Sequence, residues 1–174
     1  MTGDRSLVTE VRASIRESIL RRPEFIPLLA NDAMANLPPV TVFRDSVLDA
    51  SGEVSDPINT KSKALTPLVD IARVFALGLG MEDATFTPDR YRKAAAQLPQ
   101  YAGVFGDAVK AFDYALKMQT RVGLHRGDTA RLVRPNELTR IEVQRVKTIF
   151  STVGELMEVA VNHFKIEAVV EARD

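Results

Sequence analysis

The residues best able to do chemistry fall in four places along the chain. Lys61 follows a short β-type run and could neutralise a nucleotide phosphate, since a lysine ammonium is a compact charge with three donors. Its plainer role is that of a solvated lysine. Asp70 and Arg73 stand three apart, the spacing at which two side chains on one helix face meet. They can pair with each other and tie their helix to its neighbour, or turn toward a ligand. Arg44 lies near the end of an extended run and could reach across a domain junction, or sit exposed on an edge. Arg121, Arg126, Arg131 and Arg134, with Asp128 against them, concentrate positive charge in one stretch. Such a stretch could hold a nucleotide, RNA or an acidic protein partner, or be a solvated loop that the C-terminal dipole of a helix favours.

Other catalytic chemistry is scarce. With no cysteine among 174 residues, disulfides, thiolate metal sites and thiol nucleophiles are excluded. Two histidines, His125 and His163, leave little for histidine metal sites or Ser-His-Asp schemes. Arg121-x3-His125 is shorter than the Arg-x4-6-His spacing of helical ribonucleases, and His163, beside Phe164, reads as a helix-surface residue. No Gly-Ser turn with an Asp-x-Asp pair, no phosphate loop, no Gly-x-Gly-x-x-Gly and no His-Glu-x-x-His occurs. The 23 basic residues balance the 23 acidic ones, so the whole molecule has no electrostatic reason to seek nucleic acid or anionic lipid. Without a secretion signal or a membrane span, the expectation is a soluble, cytoplasmic protein of open oligomeric state.

The elements that must position these residues are mostly helical. Leu7, Val8, Val11, Ile15, Ile19 and Leu20 repeat with a 3.6-residue period, and Pro23 separates this helix from a shorter one that ends at Pro38-Pro39. Val40 to Phe43 are β-branched or aromatic, Ser51-Gly52 offers a turn, and Val54 and Ile58 follow, the pattern of a short β-hairpin. Thr66-Pro67 and Thr87-Pro88 each spell an N-cap followed by a first-turn proline, opening a third and a fourth helix. A fifth runs from Val104 to about Val122 with Gly123 to close it, and Leu124 to Pro135 reads as a loop. Thr139 and Glu142 form a capping box ahead of the longest helix, whose stripe runs from Val146 to Phe164. Long amphipathic helices on short connections bury their stripes against each other, so the expected fold is mainly α: an up-and-down bundle with an N-terminal helix pair and a short hairpin. A two-stranded hairpin is marginal alone and must pack on the helices or join a sheet from elsewhere.

The run from Ile58 to Leu77, with Asn59-Thr60-Lys61 ahead of Leu65-Thr66-Pro67-Leu68-Val69-Asp70-Ile71-Ala72-Arg73-Val74, resembles one family closely. In nucleotidyltransferases that carry CBS or cyclic-nucleotide-binding domains, an Asp-Leu-Lys strand is followed by Leu-x-Pro-Ile-Val-Asp-Leu-Ala-Arg-Val. Phe25 to Ala30, Pro38 to Asp45, Ala111-Phe112 and Leu138 to Lys147 are similar to further segments of that family, so the resemblance covers most of the chain.

The resemblance implies the C-terminal helical, substrate-binding domain of such a protein, remotely related to protein-PII uridylyltransferases. It implies that Mg2+ and a nucleoside triphosphate belong to a catalytic domain upstream or in trans, with none bound by this chain alone. Residues 1–62 would form the junction to that domain and residues 63–174 the bundle. Lys61, Arg73, Asp70, Arg44 and Arg121 would then face substrate or nucleotide, none of them catalytic. Two departures matter: Asn59 stands where the family has its strand aspartate, and only Arg121 survives of an Arg-x-x-His-Gln run. The other function class left open is a helical interaction or dimerisation module with no nucleotide role.

Overall fold

The computed structural model describes residues 5–35, 57–81, 83–134 and 137–166. Among these, six helices carry the fold: α1 (Arg5–Leu20), α2 (Phe25–Ala35), α3 (Thr66–Gly78), α4 (Thr87–Gln97), α5 (Ala102–Arg126) and α6 (Arg140–Phe164). Consecutive helices from α2 onward pack on one another, and α6 returns against α2 and α3 to close a helical bundle. The expected mainly α fold is therefore present. The first strand of the expected hairpin, with Arg44, lies outside the described residues.

The core forms where aromatic rings meet alanine-lined helix faces. Phe75, Tyr91 and Phe105 are fully buried, with Phe75 and Phe105 edge to face at 5.0 Å. Ala72, Ala94, Ala108 and Ala115 are buried without exception, and these small side chains let α3, α4 and α5 approach closely around the rings. α2 joins this body through Ile26 and Ala30, which pack with Val74 and Ile166. α1 does not: Leu7, Val8, Val11 and Ile15 of its apolar stripe are exposed, and Ile19 alone of that stripe packs on the core.

Several helix boundaries differ from the sequence expectation, each for a local reason. α3 does not begin at a Thr66 cap, because the chain is already coiled in a π-helical turn over Lys61–Leu65, with the Thr66 N–H donating to the Lys61 carbonyl. A proline ring clashes with the carbonyl four residues back in a regular helix, and the wider π turn relieves that clash at Pro67. α4 starts one residue earlier than expected, with extended Phe86 at the N-cap and Thr87 already helical. α5 runs past Gly123 to Arg126, and it is Gly127, at φ 71°, that closes it in the left-handed conformation. Gly123 is buried inside the helix, where an added Cβ would stand 2.7 Å from the Asp128 carbonyl oxygen. It permits the returning chain to cross the helix.

That crossing ends in structure rather than loop. Leu132–Val133 (β2) pairs antiparallel with Ile58–Asn59 (β1), with Ile58 opposite Val133. Thr60, almost wholly buried, adds its N–H to the Arg131 carbonyl at 3.0 Å and its hydroxyl to the Ala130 carbonyl at 3.3 Å. Ile58 therefore meets a strand from the far side of the chain.

Candidate functional site

The start of α3 and the π turn before it face α2 across a cleft of about 330 Å³. Leu29, Asp32 and Ala33 come from α2; Ser62, Thr66, Pro67, Asp70, Arg73 and Val74 come from the other wall. The chain turns into that wall where the Asn59 side-chain oxygen accepts the Ser62 N–H at 3.0 Å. The amide that replaces the family's aspartate is thus engaged in a local cap. Lys61 is exposed beside Ser62 and makes no ion pair among the described residues.

Asp70 and Arg73 sit at the cleft together, as their spacing allows. The Arg73 Nη1 donates to Asp70 Oδ1 at 2.8 Å, with Arg73 mostly exposed and Asp70 largely covered. On its other side Arg73 meets the field of Arg90, whose guanidinium donates to the Ala84 carbonyl at 2.8 Å. The pKa of Arg90 is lowered, chiefly by burial and then by the charge of Arg73. Asp70 therefore has a nearby cation to neutralise, and Arg73 a reason to lean toward Asp70 and the cleft.

Arg121 lies elsewhere. It donates to Glu142 at 2.6 Å and lines a groove of about 400 Å³ between α5 and α6, where Arg145 also stacks over the Tyr114 ring at 5.0 Å. Glu142 is held below the usual carboxylate range, first by the Thr139 N–H that donates to it and then, after the Thr139 hydroxyl, by Arg121.

Nor do the arginines after α5 form an unopposed basic patch. Arg126 donates to Asp128 at 2.5 Å, to Glu137 at 3.3 Å and to the Leu132 carbonyl at 2.8 Å, so its charge fastens the crossing chain. Asp128 is held low mainly by the Ala130 N–H, and Glu137 by the Arg134 N–H. Arg131 and Arg134 remain exposed.

His163 is half-buried on α6, its ring 5.9 Å from Phe75 and 4.8 Å from Phe164, so the expected surface position is partly covered. Burial lowers its pKa.

Asp32, Ser62 and Thr66 were not among the residues singled out from the sequence. Asp32 lies 30 to 42 residues before its partners on the opposite wall, on an unremarkable polar position of α2, and only the crossing of α2 over α3 brings it there. Thr66 carried a signal, but for a helix cap.

Among the described residues no group of three or more Asp, Glu, His or Cys side chains could hold a metal ion. No described helix is long and apolar enough to cross a membrane.

The described residues thus form a helical bundle in which α2 and α3 enclose a cleft of mixed charge. The chain belongs to the family described as "Putative nucleotidyltransferase substrate binding domain", whose model matches residues 23–164. The match begins just after α1 and ends with α6. No curated protein and no solved structure matched the chain.

Proposed function

We propose that this chain positions the acceptor in a signal-transduction nucleotidyltransferase that transfers a nucleoside monophosphate in the manner of a uridylyltransferase. The catalytic domain, in the same chain or in trans and of the kind found with CBS or cyclic-nucleotide-binding domains, holds the triphosphate and Mg2+. Residues 1–62 form the junction to it and residues 63–174 the bundle, and the reaction belongs to the cytoplasm. The observation that carries this reading is the cleft between α2 and α3, because its wall holds Thr66 to Val74 of the segment that resembles the family's, within the residues the family model matches. Lys61, exposed next to Ser62 and without an ion pair among the described residues, faces the nucleotide phosphates, while Asp70 and Arg73 serve the acceptor.

The test is a thermal-shift titration with ATP, UTP and CTP plus Mg2+. A ligand that binds the folded state raises the melting temperature by mass action. Because this chain supplies only the Lys61 edge of a site that the catalytic domain completes, a weak shift with at least one nucleotide, at millimolar concentration, is expected in the wild type and in Lys110→Ala and is lost in Lys61→Ala. No shift with any nucleotide into the millimolar range would remove the phosphate role from Lys61.

A second reading, a dimerisation module with no nucleotide role, has the exposed stripe of α1 in its favour. A concentration-dependent mass that Val11→Glu/Ile15→Glu abolishes, together with no nucleotide shift, would replace the first reading with this one.

A further inference from the structure

We infer that Thr60 is a positioning residue for Lys61: by bonding to the chain that crosses α5, it fixes the turn from which the lysine reaches the nucleotide phosphates. This rests on the phosphate-facing reading of Lys61 and adds the device that holds it.

An exposed lysine on a free backbone spreads over many positions, and ordering it costs part of the binding energy it gains. The backbone around Lys61 is not free. Thr60, just before it, is buried; its N–H donates to the Arg131 carbonyl at 3.0 Å, and its hydroxyl lies 3.3 Å from the Ala130 carbonyl and 3.4 Å from that of Arg131. The Lys61 carbonyl itself accepts the Thr66 N–H, and Asn59 Oδ1 accepts the Ser62 N–H at 3.0 Å. The turn is thus held before and after Lys61 while the lysine side chain stays exposed.

A buried hydroxyl costs stability unless it is hydrogen-bonded, and valine would fill the same space without that demand. The hydroxyl at position 60 instead specifies where two carbonyls some seventy residues away must lie. Those carbonyls are themselves fixed. Ala130 adopts the left-handed region at φ 44°, which residues bearing a Cβ seldom enter. Such conformations persist only where the surroundings over-determine them, and they gather at functional sites. Here Asp128 Oδ1 accepts the Ala130 N–H at 2.7 Å, Gln119 Nε2 donates to the Thr129 carbonyl at 3.0 Å, and Arg126 donates to the Leu132 carbonyl at 2.8 Å. The crossing is pinned on each side of Ala130, so Thr60 meets acceptors that do not move. Ala130 and Val133 already cover Val122 with apolar surface. The bonds to Thr60 add direction to that cover, and they act on the residue next to Lys61.

The test measures two quantities in the whole chain by NMR: hydrogen exchange of the Ser62 amide, and affinity for ATP, UTP and CTP with Mg2+. Thr60→Val keeps the shape and removes the hydroxyl. Ser62 should then exchange about tenfold faster, as for the loss of one buried hydrogen bond. The nucleotide that binds the wild type should bind about fivefold more weakly, because the lysine must be ordered on binding. Thr60→Ser, which restores the hydroxyl, should return both to the wild-type values. Thr139→Ala, which weakens a helix cap instead, should leave both unchanged. Should Thr60→Val not fold, Asn59→Ala takes the acceptor from the Ser62 N–H and should move both quantities the same way. Unchanged exchange or unchanged affinity in Thr60→Val, or equal losses in Thr139→Ala, would overturn the inference. If Lys61→Ala abolishes nucleotide binding and Thr60→Val does not weaken it, the positioning role falls and the transferase reading stands. A wild type that binds no nucleotide brings down the phosphate role of Lys61 and the positioning role with it.

Discussion

The Tyr91 hydroxyl on α4 donates a 2.6 Å hydrogen bond to the carbonyl of Leu68 on α3, both residues being fully buried. Leu68 follows Pro67 in the cleft wall, so this bond braces that wall from behind. Burial raises the phenol's pKa strongly, and the nearby charge of Asp70 adds to the effect, so Tyr91 stays a donor at every ordinary pH. Tyr91→Phe removes the donor and keeps the ring against Phe105. It should cost about 1 kcal/mol in denaturant unfolding. A variant as stable as the wild type would show that the bond is not a brace.

The two kinds of glycine in α5 should respond in opposite directions. At Gly106 an added Cβ meets nothing within 4 Å, so Gly106→Ala should stabilise by about 0.5–1 kcal/mol through helix propensity. At Gly123 the same methyl would stand 2.7 Å from the Asp128 carbonyl oxygen and 3.5 Å from the Ala130 Cβ. Backbone cannot swing aside as a side chain can, and Gly123→Ala should destabilise by about 1–3 kcal/mol. Thermal unfolding of the two variants side by side checks the sign of each; a stabilised Gly123→Ala would mean that the crossing at residues 128–130 is loose.

Gly123 also shows what the sequence could and could not disclose. A glycine after an apolar-periodic run reads as a helix end, and periodicity alone cannot distinguish it from a glycine that admits another backbone. The distinction depends on a chain segment returning across the helix, a non-local event. The same limit hid Asp32 from the candidate site and made Leu124 to Pro135 look like a plain loop, because β2 exists only where β1 meets it. Local signals did better. The third to sixth helices, the Asp70–Arg73 pair and the capping box at Thr139 are all encoded within a few residues, and all are present. The partial cover of His163 by Phe75 was not legible, because Phe75 lies on another helix.

At the start of α6 the Thr139 hydroxyl accepts the Glu142 N–H at 3.3 Å, and the Glu142 carboxylate accepts the Thr139 N–H at 2.8 Å. Thr139→Ala should cost about 1 kcal/mol, as for other N-caps. Arg121→Ala touches the same carboxylate from α5, yet Arg121 is more than half exposed, and its loss should cost less than about 0.5 kcal/mol. Chemical denaturation of both variants tests the order; an Arg121 effect equal to that of Thr139 would make the ion pair, rather than the cap, the feature that holds this end of α6.

His163 should give stability a pH dependence near neutrality. Partial burial against Phe75 and Phe164 disfavours its protonated form, so its folded pKa lies below the unfolded value of about 6.5. Below that value the unfolded chain binds a proton that the folded chain resists, and the stability present above it is lost as the pH falls. The melting temperature should therefore fall between about pH 7.5 and about pH 5.5, a window set by the histidine pKa. The carboxylates of Asp128, Glu137 and Glu142, all shifted downward, lose their contribution only at lower pH. His163→Phe keeps an aromatic ring in the cluster and should flatten the dependence in that window. Parallel melting curves for wild type and His163→Phe across this range would show that the imidazole is as readily protonated in the folded chain as in the unfolded one.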